Sequence, residues 1–424
     1  MGNQQRELAV NLFMAGVEAA EPESITKQAV VSHHAALDHG PITIIAIGKA
    51  SIPMMRGALD ALGEREVARS IAVTNRENWV SIDGVDVFPA GHPVPDTEGA
   101  VASQKIMETV ASLTSDDVLL FLISGGTSAM LPAPAGELTL QDEVAATEVL
   151  LASGAPIDAV NRVRSRLSKV KGGGLSRLAG ETPIVTLMLS DVPGDVPAII
   201  GSGPTITSTV SDEEIALTIR DYNLEARLDA AVMSHLRRST ADEETKIGPR
   251  HAEVIGSNKI SLNAVCAAAR KLGIHVEVVS DWLEGDVQEA ADKFAASAQQ
   301  CDRWPSILVA GGETTVQLVG DGKGGRNQEL ALRFAASTDD IVVPWVFLSG
   351  GTDGRDGPTD AAGGLVDHTT LSRLGQEHAE KALANNDAYH ALLSCGDLLI
   401  TGGTGTNVAD LQILVLGSIN ADTL

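Results

Sequence analysis

The chain has 424 residues, 44% of them hydrophobic and only 3% aromatic, with a formal net charge of −25. That length suggests two or three domains with sizeable cores, and the acidity argues against a basic nucleic-acid-binding surface, so an anionic substrate must be captured locally. Three cysteines without a CxxC pair suit a reducing compartment. No signal peptide opens the chain and no apolar run is long enough to span a membrane, so a cytoplasmic location is expected.

Leu8, Leu12, Phe13 and Val17 are spaced as one face of a helix over Glu7 to Ala20. Ile42 to Ile47 reads as a buried strand stopped by Gly48, with Lys49 and Ser51 next. A Walker A loop would need Gly where Thr43 stands, so this is not a P-loop. Lys49 still suits a phosphate-facing cation at a strand end. A strand over Ser70 to Val73 precedes Gly91-His92-Pro93-Val94-Pro95, a stiff loop that His92 would cap. After a helix over Ala100 to Leu113, the strand Val118 to Ile123 runs into Ser124-Gly125-Gly126-Thr127.

Asn161 to Gly174 is the one strongly basic segment; it holds Arg164 and Lys171 and ends in Gly172, Gly173 and Gly174. It reads either as an anion site or as a solvated helix face. The strand Ile184 to Leu189 leads to Asp191, placed as a metal ligand or base. The polar stretch Arg237 to Arg250 reads as the domain boundary, giving domains 1–245 and 246–424.

Strands are expected at Ala252 to Gly256, His275 to Val279, Ile307 to Ala310, Thr314 to Val319, Ile341 to Leu348, Leu398 to Thr401 and Leu411 to Leu416, with a helix over Ser261 to Leu272. Alternating short apolar strands and helices mean an α/β protein with mainly parallel sheet. The Gly-Gly turn of residues 125–126 recurs at Gly311-Gly312, Gly350-Gly351 and Gly402-Gly403, each after a strand, where open α/β sheets bind ligands. Gly320 to Gly325 satisfies GxGxxG, but Ser349 and Gly350 stand where a dinucleotide site wants an acidic residue. Arg326, opening a helix after those glycines, suits phosphate recognition better. The carboxylates of Thr352 to Asp360 suit Mg²⁺, which takes one or two of them plus substrate oxygens. Thr404 to Asp410 adds a polar loop.

Taken in order from Gly48 to Leu416, these segments resemble the glycerate 2-kinase family with a C-terminal MOFRL domain. The most specific stretches are Leu189 to Thr205, Gly311 to Glu329 and Thr352 to Asp367. The resemblance implies a Rossmann-like N-terminal domain, a smaller α/β MOFRL domain and an active site in the cleft between them. It also implies ATP and Mg²⁺ with D-glycerate, giving 2-phosphoglycerate and ADP. The family's catalytic lysine and arginine fall on Lys49 and Arg326, and Asp191 joins them. Expected binding residues are Gly48, Ser51, Ser124, Gly125, Gly126, Thr127, Ser128, Arg164, Lys171, Gly172, Glu313, Thr314, Gly324, Gly325, Asn327 and Asn407. Asp191 and Asp353 are the expected metal ligands.

The chain departs from the family pattern at Thr127, Arg166, Thr74-Asn75 and Asn386-Asp387-Ala388, which bears on the hydroxy acid used. Expected partners are glycerate and ATP, with no nucleic acid or membrane and a homodimer left open. The rival reading is an NAD(P)H-dependent hydroxypyruvate reductase, and a third is a non-catalytic binding protein.

Overall fold

The computed structural model describes residues 2–207, 210–238, 246–338 and 340–419. These form two compact units: residues 22–255, and residues 1–21 together with 256–424. The grouping differs from a division at 245/246 in two respects. The boundary lies at 255/256, and the first 21 residues belong with the C-terminal half. Part of the polar stretch read as the boundary, residues 239–245, lies outside the described residues.

The first unit is built on a six-stranded sheet. Its strands are β1 (Ile42–Ile47), β2 (Val67–Asn75), β3 (Asp86–Ala90), β4 (Val118–Ile123), β5 (Ile184–Ser190) and β6 (Arg250–Ser257). Their order is β3-β2-β1-β4-β5-β6, the doubly wound arrangement whose switch point lies between β1 and β4. The pairs from β3 through β5 are all parallel. Register is level at their C-terminal ends: Ile47 stands opposite both Val73 and Ile123, and Ile123 opposite Met188.

β1 and β4 are buried along their whole length, and alternate side chains enter two different cores. Ile45, Ile47, Phe121 and Ile123 pack on one face; Ile44, Ala46, Leu120 and Leu122 pack on the other. Burial on both faces explains why these strands read as unbroken apolar runs. A separate helical cluster around Leu150, Val163, Leu224 and Val232 carries the helix Ile157–Arg166.

The second unit holds β7 (His275–Leu283), β8 (Ser306–Gly312), β9 (Trp345–Gly351), β10 (Gly363–Asp367), β11 (Leu398–Leu399) and β12 (Asp410–Leu416). Their order is β11-β10-β9-β12-β8-β7. Only β7 and β8 pair in parallel; β12 is antiparallel to both β8 and β9, and β10 to both β9 and β11. One face packs Phe294, Phe334 and Phe347, with Phe334 and Phe347 centroids 4.3 Å apart. The other receives the N-terminal helix α1 (Gly2–Glu18) through Leu8, Leu12, Phe13 and Val17.

Three expected strands change, Ile341 to Leu348 being strand only from Trp345 onward. Thr314 to Val319 is not a strand; only Thr315 makes an isolated bridge, to Asp286. Leu398 to Thr401 shrinks to two residues. β3 and β10 were not anticipated.

Candidate active site

At the C-terminal ends of β1 and β4, Gly48 turns the chain with φ +120°, and a Cβ there would lie 2.3 Å from Ser124 Oγ. Only glycine allows that approach. The two strand ends are then laced together. Lys49 N–H donates to the Gly125 carbonyl (2.9 Å), Ala50 N–H to Ser124 Oγ (3.0 Å), and Thr127 Oγ1 to the Ile47 carbonyl (2.9 Å). Ser124 and Thr127 are buried and hold the turn. Ser51 is also buried, with no partner for its hydroxyl among the described residues. Ser124 and Thr127 thus shape the turn through their side-chain hydrogen bonds.

The Lys49 side chain is half-buried, and its ammonium makes no hydrogen bond or ion pair among the described residues. Other strand ends add to the same edge. From the turn after β2, Asn78 Nδ2 donates to the Lys49 carbonyl (3.1 Å). From β5, the Asp191 carboxylate lies so close to Gly125 that a Cβ there would be 2.3 Å from its Oδ2. From the loop after β3, His92 reaches the turn: a Cβ on Gly126 would be 2.9 Å from its Cδ2. Burial and the Lys49 charge hold the His92 imidazole below its ordinary 6.5.

Ser128 follows the turn. Its hydroxyl meets Ser202 Oγ (3.0 Å) and accepts from Arg164 Nη2. Arg164 Nη1 donates to Asn161 Oδ1 (3.2 Å), while its Nε is buried without a partner among the described residues. Burial pulls the Arg164 guanidinium down from its ordinary value. Lys171 departs from its expected role. It is buried against Glu143, which is also buried, and the two form an ion pair. Gly172 N–H donates to the Ser202 carbonyl (2.9 Å). Neither offers an open anion contact.

In the second unit, Asp410 opens β12 between Gly312, the end of β8, and Gly351, the end of β9. Arg326 grips this buried carboxylate bidentately, Nε to Oδ2 at 2.6 Å and Nη2 to Oδ1 at 3.0 Å, and its Nη1 meets Glu313 Oε1 at 2.8 Å. Burial disfavours the charged guanidinium, but the Asp410 pairing overrides it and raises the pKa of Arg326.

The glycine-rich loop before Arg326 is not an open phosphate cradle. Val319 and Gly320 N–H donate to Asn386 Oδ1, Gly322 N–H to the Asn385 carbonyl and Lys323 N–H to Asp387 Oδ1. The helix α2 that follows (Arg326–Ala336) has its N-terminus filled by Asp356, which accepts from Asn327 N–H (3.1 Å) and Gln328 N–H (2.8 Å). Gly325 packs directly on the Asp356 carboxyl and Gly324 on the Ala388 backbone. Asn327 is buried, its Oδ1 accepting from Ser349 Oγ (2.6 Å). Thr314 is buried as well, its hydroxyl without a partner among the described residues. Asn385, Asn386 and Asp387 are what tie this loop down.

Glu313 and Asn407 are exposed. Asp353 Oδ1 accepts from Arg355 N–H (2.9 Å) within its turn. Asp356, Asp410 and Ser202 were missing from the expected set. The signal for Asp410 was available: a carboxylate opening an otherwise apolar strand must be buried, and buried charges are paired.

Comparison with known proteins gives a consistent relationship. The family description "Domain of unknown function (DUF4147)" matches residues 8–237, and "MOFRL family" matches residues 306–410. A D-glycerate 2-kinase of Thermotoga maritima is 35% identical over 96% of this chain and 97% of its own. A glycerate kinase of Rattus norvegicus is 36% identical over 88% of this chain and 84% of its own. A hydroxypyruvate reductase name occurs too, given provisionally to a relative from Agrobacterium vitis at 36% identity. The crystal structure of a glycerate kinase from Thermotoga maritima superposes with a TM-score of 0.89 at 33% identity, covering 98% of this chain and 100% of that one. With relatives of this identity along nearly its whole length, the chain belongs to the glycerate kinase family.

Proposed function

We propose that the chain transfers a phosphoryl group from ATP to D-glycerate, giving 2-phosphoglycerate and ADP, in the cytoplasm. The observation that carries this reading is Lys49. In a chain of net charge −25, a lysine with no ion-pair partner among the described residues stands at the β1/β4 switch point, where doubly wound sheets take their ligands. An ammonium there can stabilise charge on a transferring phosphoryl group. Arg164, beside Ser128 and Ser202, suits the carboxylate of a small hydroxy acid. Arg326 is held rigidly by Asp410, so its remaining donors are pre-aimed at an anion.

The donor set fits Mg²⁺ carried on phosphate oxygens. No group of three or more His, Cys, Asp or Glu side chains is arranged to hold a metal among the described residues, so a caged ion is not built. Mg²⁺ needs only one or two carboxylates, and Asp191 or Asp353 would each supply one. Bound there, the ion would neutralise charge on the phosphates.

The reductase reading is not favoured, because the Gly320, Gly322 and Lys323 N–H groups of its GxGxxG stretch are engaged by Asn386, Asn385 and Asp387, and the helix start that follows is filled by Asp356. The deciding experiment incubates the protein with D-glycerate, ATP and Mg²⁺, and separately with hydroxypyruvate and NADH. ADP release that requires glycerate and stops in EDTA is expected. NADH oxidation without ATP turnover would overturn the reading.

A further inference from the structure

We propose that His92 accepts the proton of the substrate hydroxyl during phosphoryl transfer. This rests on the kinase reading and deepens it. The transfer needs a group to take that proton, and the switch point offers few. His92 lies at the C-terminal end of β3, on the same edge as Lys49 and the Gly125-Gly126 turn. Its ring abuts Gly126, the left-handed residue of that turn (φ +87°), with Nε2 3.2 Å from where a Cβ would stand. Glycine is what leaves room for the imidazole there.

The loop that presents His92 is anchored. Asp96 caps the following helix (Thr97–Ala111) by accepting from Gly99 N–H at 2.9 Å, and a Cβ on Gly91 would lie 3.0 Å from its Oδ2. The ring nitrogens make no hydrogen bond among the described residues, so one remains available as an acceptor. The charged groups around it are Lys49 from the β1 end, which disfavours the imidazolium, and Glu77 from the turn after β2, which favours it. The β4 turn presents Gly126 and the Met130 methyl on that side, and Asp191 packs on the adjacent Gly125. Partial burial and Lys49 both lower the imidazole pKa, which favours the neutral state a proton acceptor needs.

The step balances. The substrate O–H bond breaks and its proton passes to an imidazole nitrogen. The same oxygen forms the new bond to the γ-phosphorus, while the bond from that phosphorus to the bridging oxygen breaks and ADP leaves with the electron pair. His92 then releases its proton to solvent.

The test is the pH dependence of glycerate phosphorylation by the full chain, with wild type, His92→Asn and His92→Gln in one assay. His92 is solvent-accessible, and melting curves report whether each variant is folded. Wild-type kcat should show an acid limb, displaced to the acid side of an ordinary imidazole, as the ring protonates. Both variants should lose about 10²-fold or more in kcat, keep KM for glycerate, and lose that acid limb. A folded variant with unchanged kcat, or with the acid limb intact, overturns the role of His92 alone. Wild type that does not phosphorylate glycerate overturns the kinase reading, and this role with it.

Discussion

Lys49 and Arg326 were both legible as cations at glycine-flanked turns, but they have different neighbours and different expected phenotypes. Lys49 makes no structural contact through its ammonium among the described residues. Lys49→Ala should therefore fold normally, leave KM for glycerate nearly unchanged and lower kcat by about 10²–10³; steady-state kinetics beside a melting curve checks this. Arg326 also neutralises the buried Asp410. Arg326→Ala should destabilise the fold by roughly 3–5 kcal/mol, because it strands a carboxylate out of water. Adding Asp410→Asn should restore much of that stability without restoring turnover. A double variant that recovers both would make Arg326 purely structural. Lys171 was less legible, since a basic run says nothing about which member turns inward onto a glutamate 28 residues away.

At the scale of elements, strands with a full complement of apolar residues were readable and strands with compensating features were not. β1 and β4 matched their expected limits because both faces are buried. β3 was hidden by its shortness and its proline, and β10 by its two leading glycines. Thr314 to Val319 has strand-like residues, yet Leu318 and Val319 are 75% and 69% exposed. Its last N–H, on Val319, goes to Asn386 instead of a neighbouring strand. The helix start after the glycine-rich loop resembled an anion site for a sound reason, since the protein does place a hydrogen-bond-accepting carboxyl there: its own Asp356.

That internal cap has a pH signature. Burial raises the Asp356 carboxyl from 3.8 to about 7, against the two backbone N–H donors that favour its charge. A raised folded pKa means the folded state holds a proton that the unfolded chain releases between about 4 and 7. The stabilisation is fully present below that window and is lost as pH rises through 7. Asp356→Asn should flatten this dependence. The melting temperature of the variant minus that of wild type should climb from pH 5 to pH 8, and a constant difference would show that Asp356 is ionised throughout.

For the whole molecule, chain order misleads about which residues share a core. The helix α1 was predicted from its apolar face, but spacing alone cannot say which sheet that face covers. The structure assigns it to the β8–β9–β12 face: Leu8, Leu12, Phe13 and Val17 pack with Val309, Leu348 and Ile413. Thr406 Oγ1 also donates to the Ala20 carbonyl (2.7 Å), and Arg6 pairs with Asp367 (2.7 Å) and Asp397 (3.0 Å). Phe13 is fully buried and touches Gly350, where a Cβ would lie 3.0 Å from its ring. Phe13→Ala should cost about 3–5 kcal/mol through lost burial and the cavity left behind. Removing residues 2–21 should cost more, since each large apolar side chain contributes about 1.5–3 kcal/mol. Both losses should fall on the unit that contains residues 256–424. Hydrogen exchange should therefore show faster opening of β9 and β12 in Phe13→Ala while β1 and β4 stay protected. Equal loss of protection in both sheets would mean that the two units unfold as one.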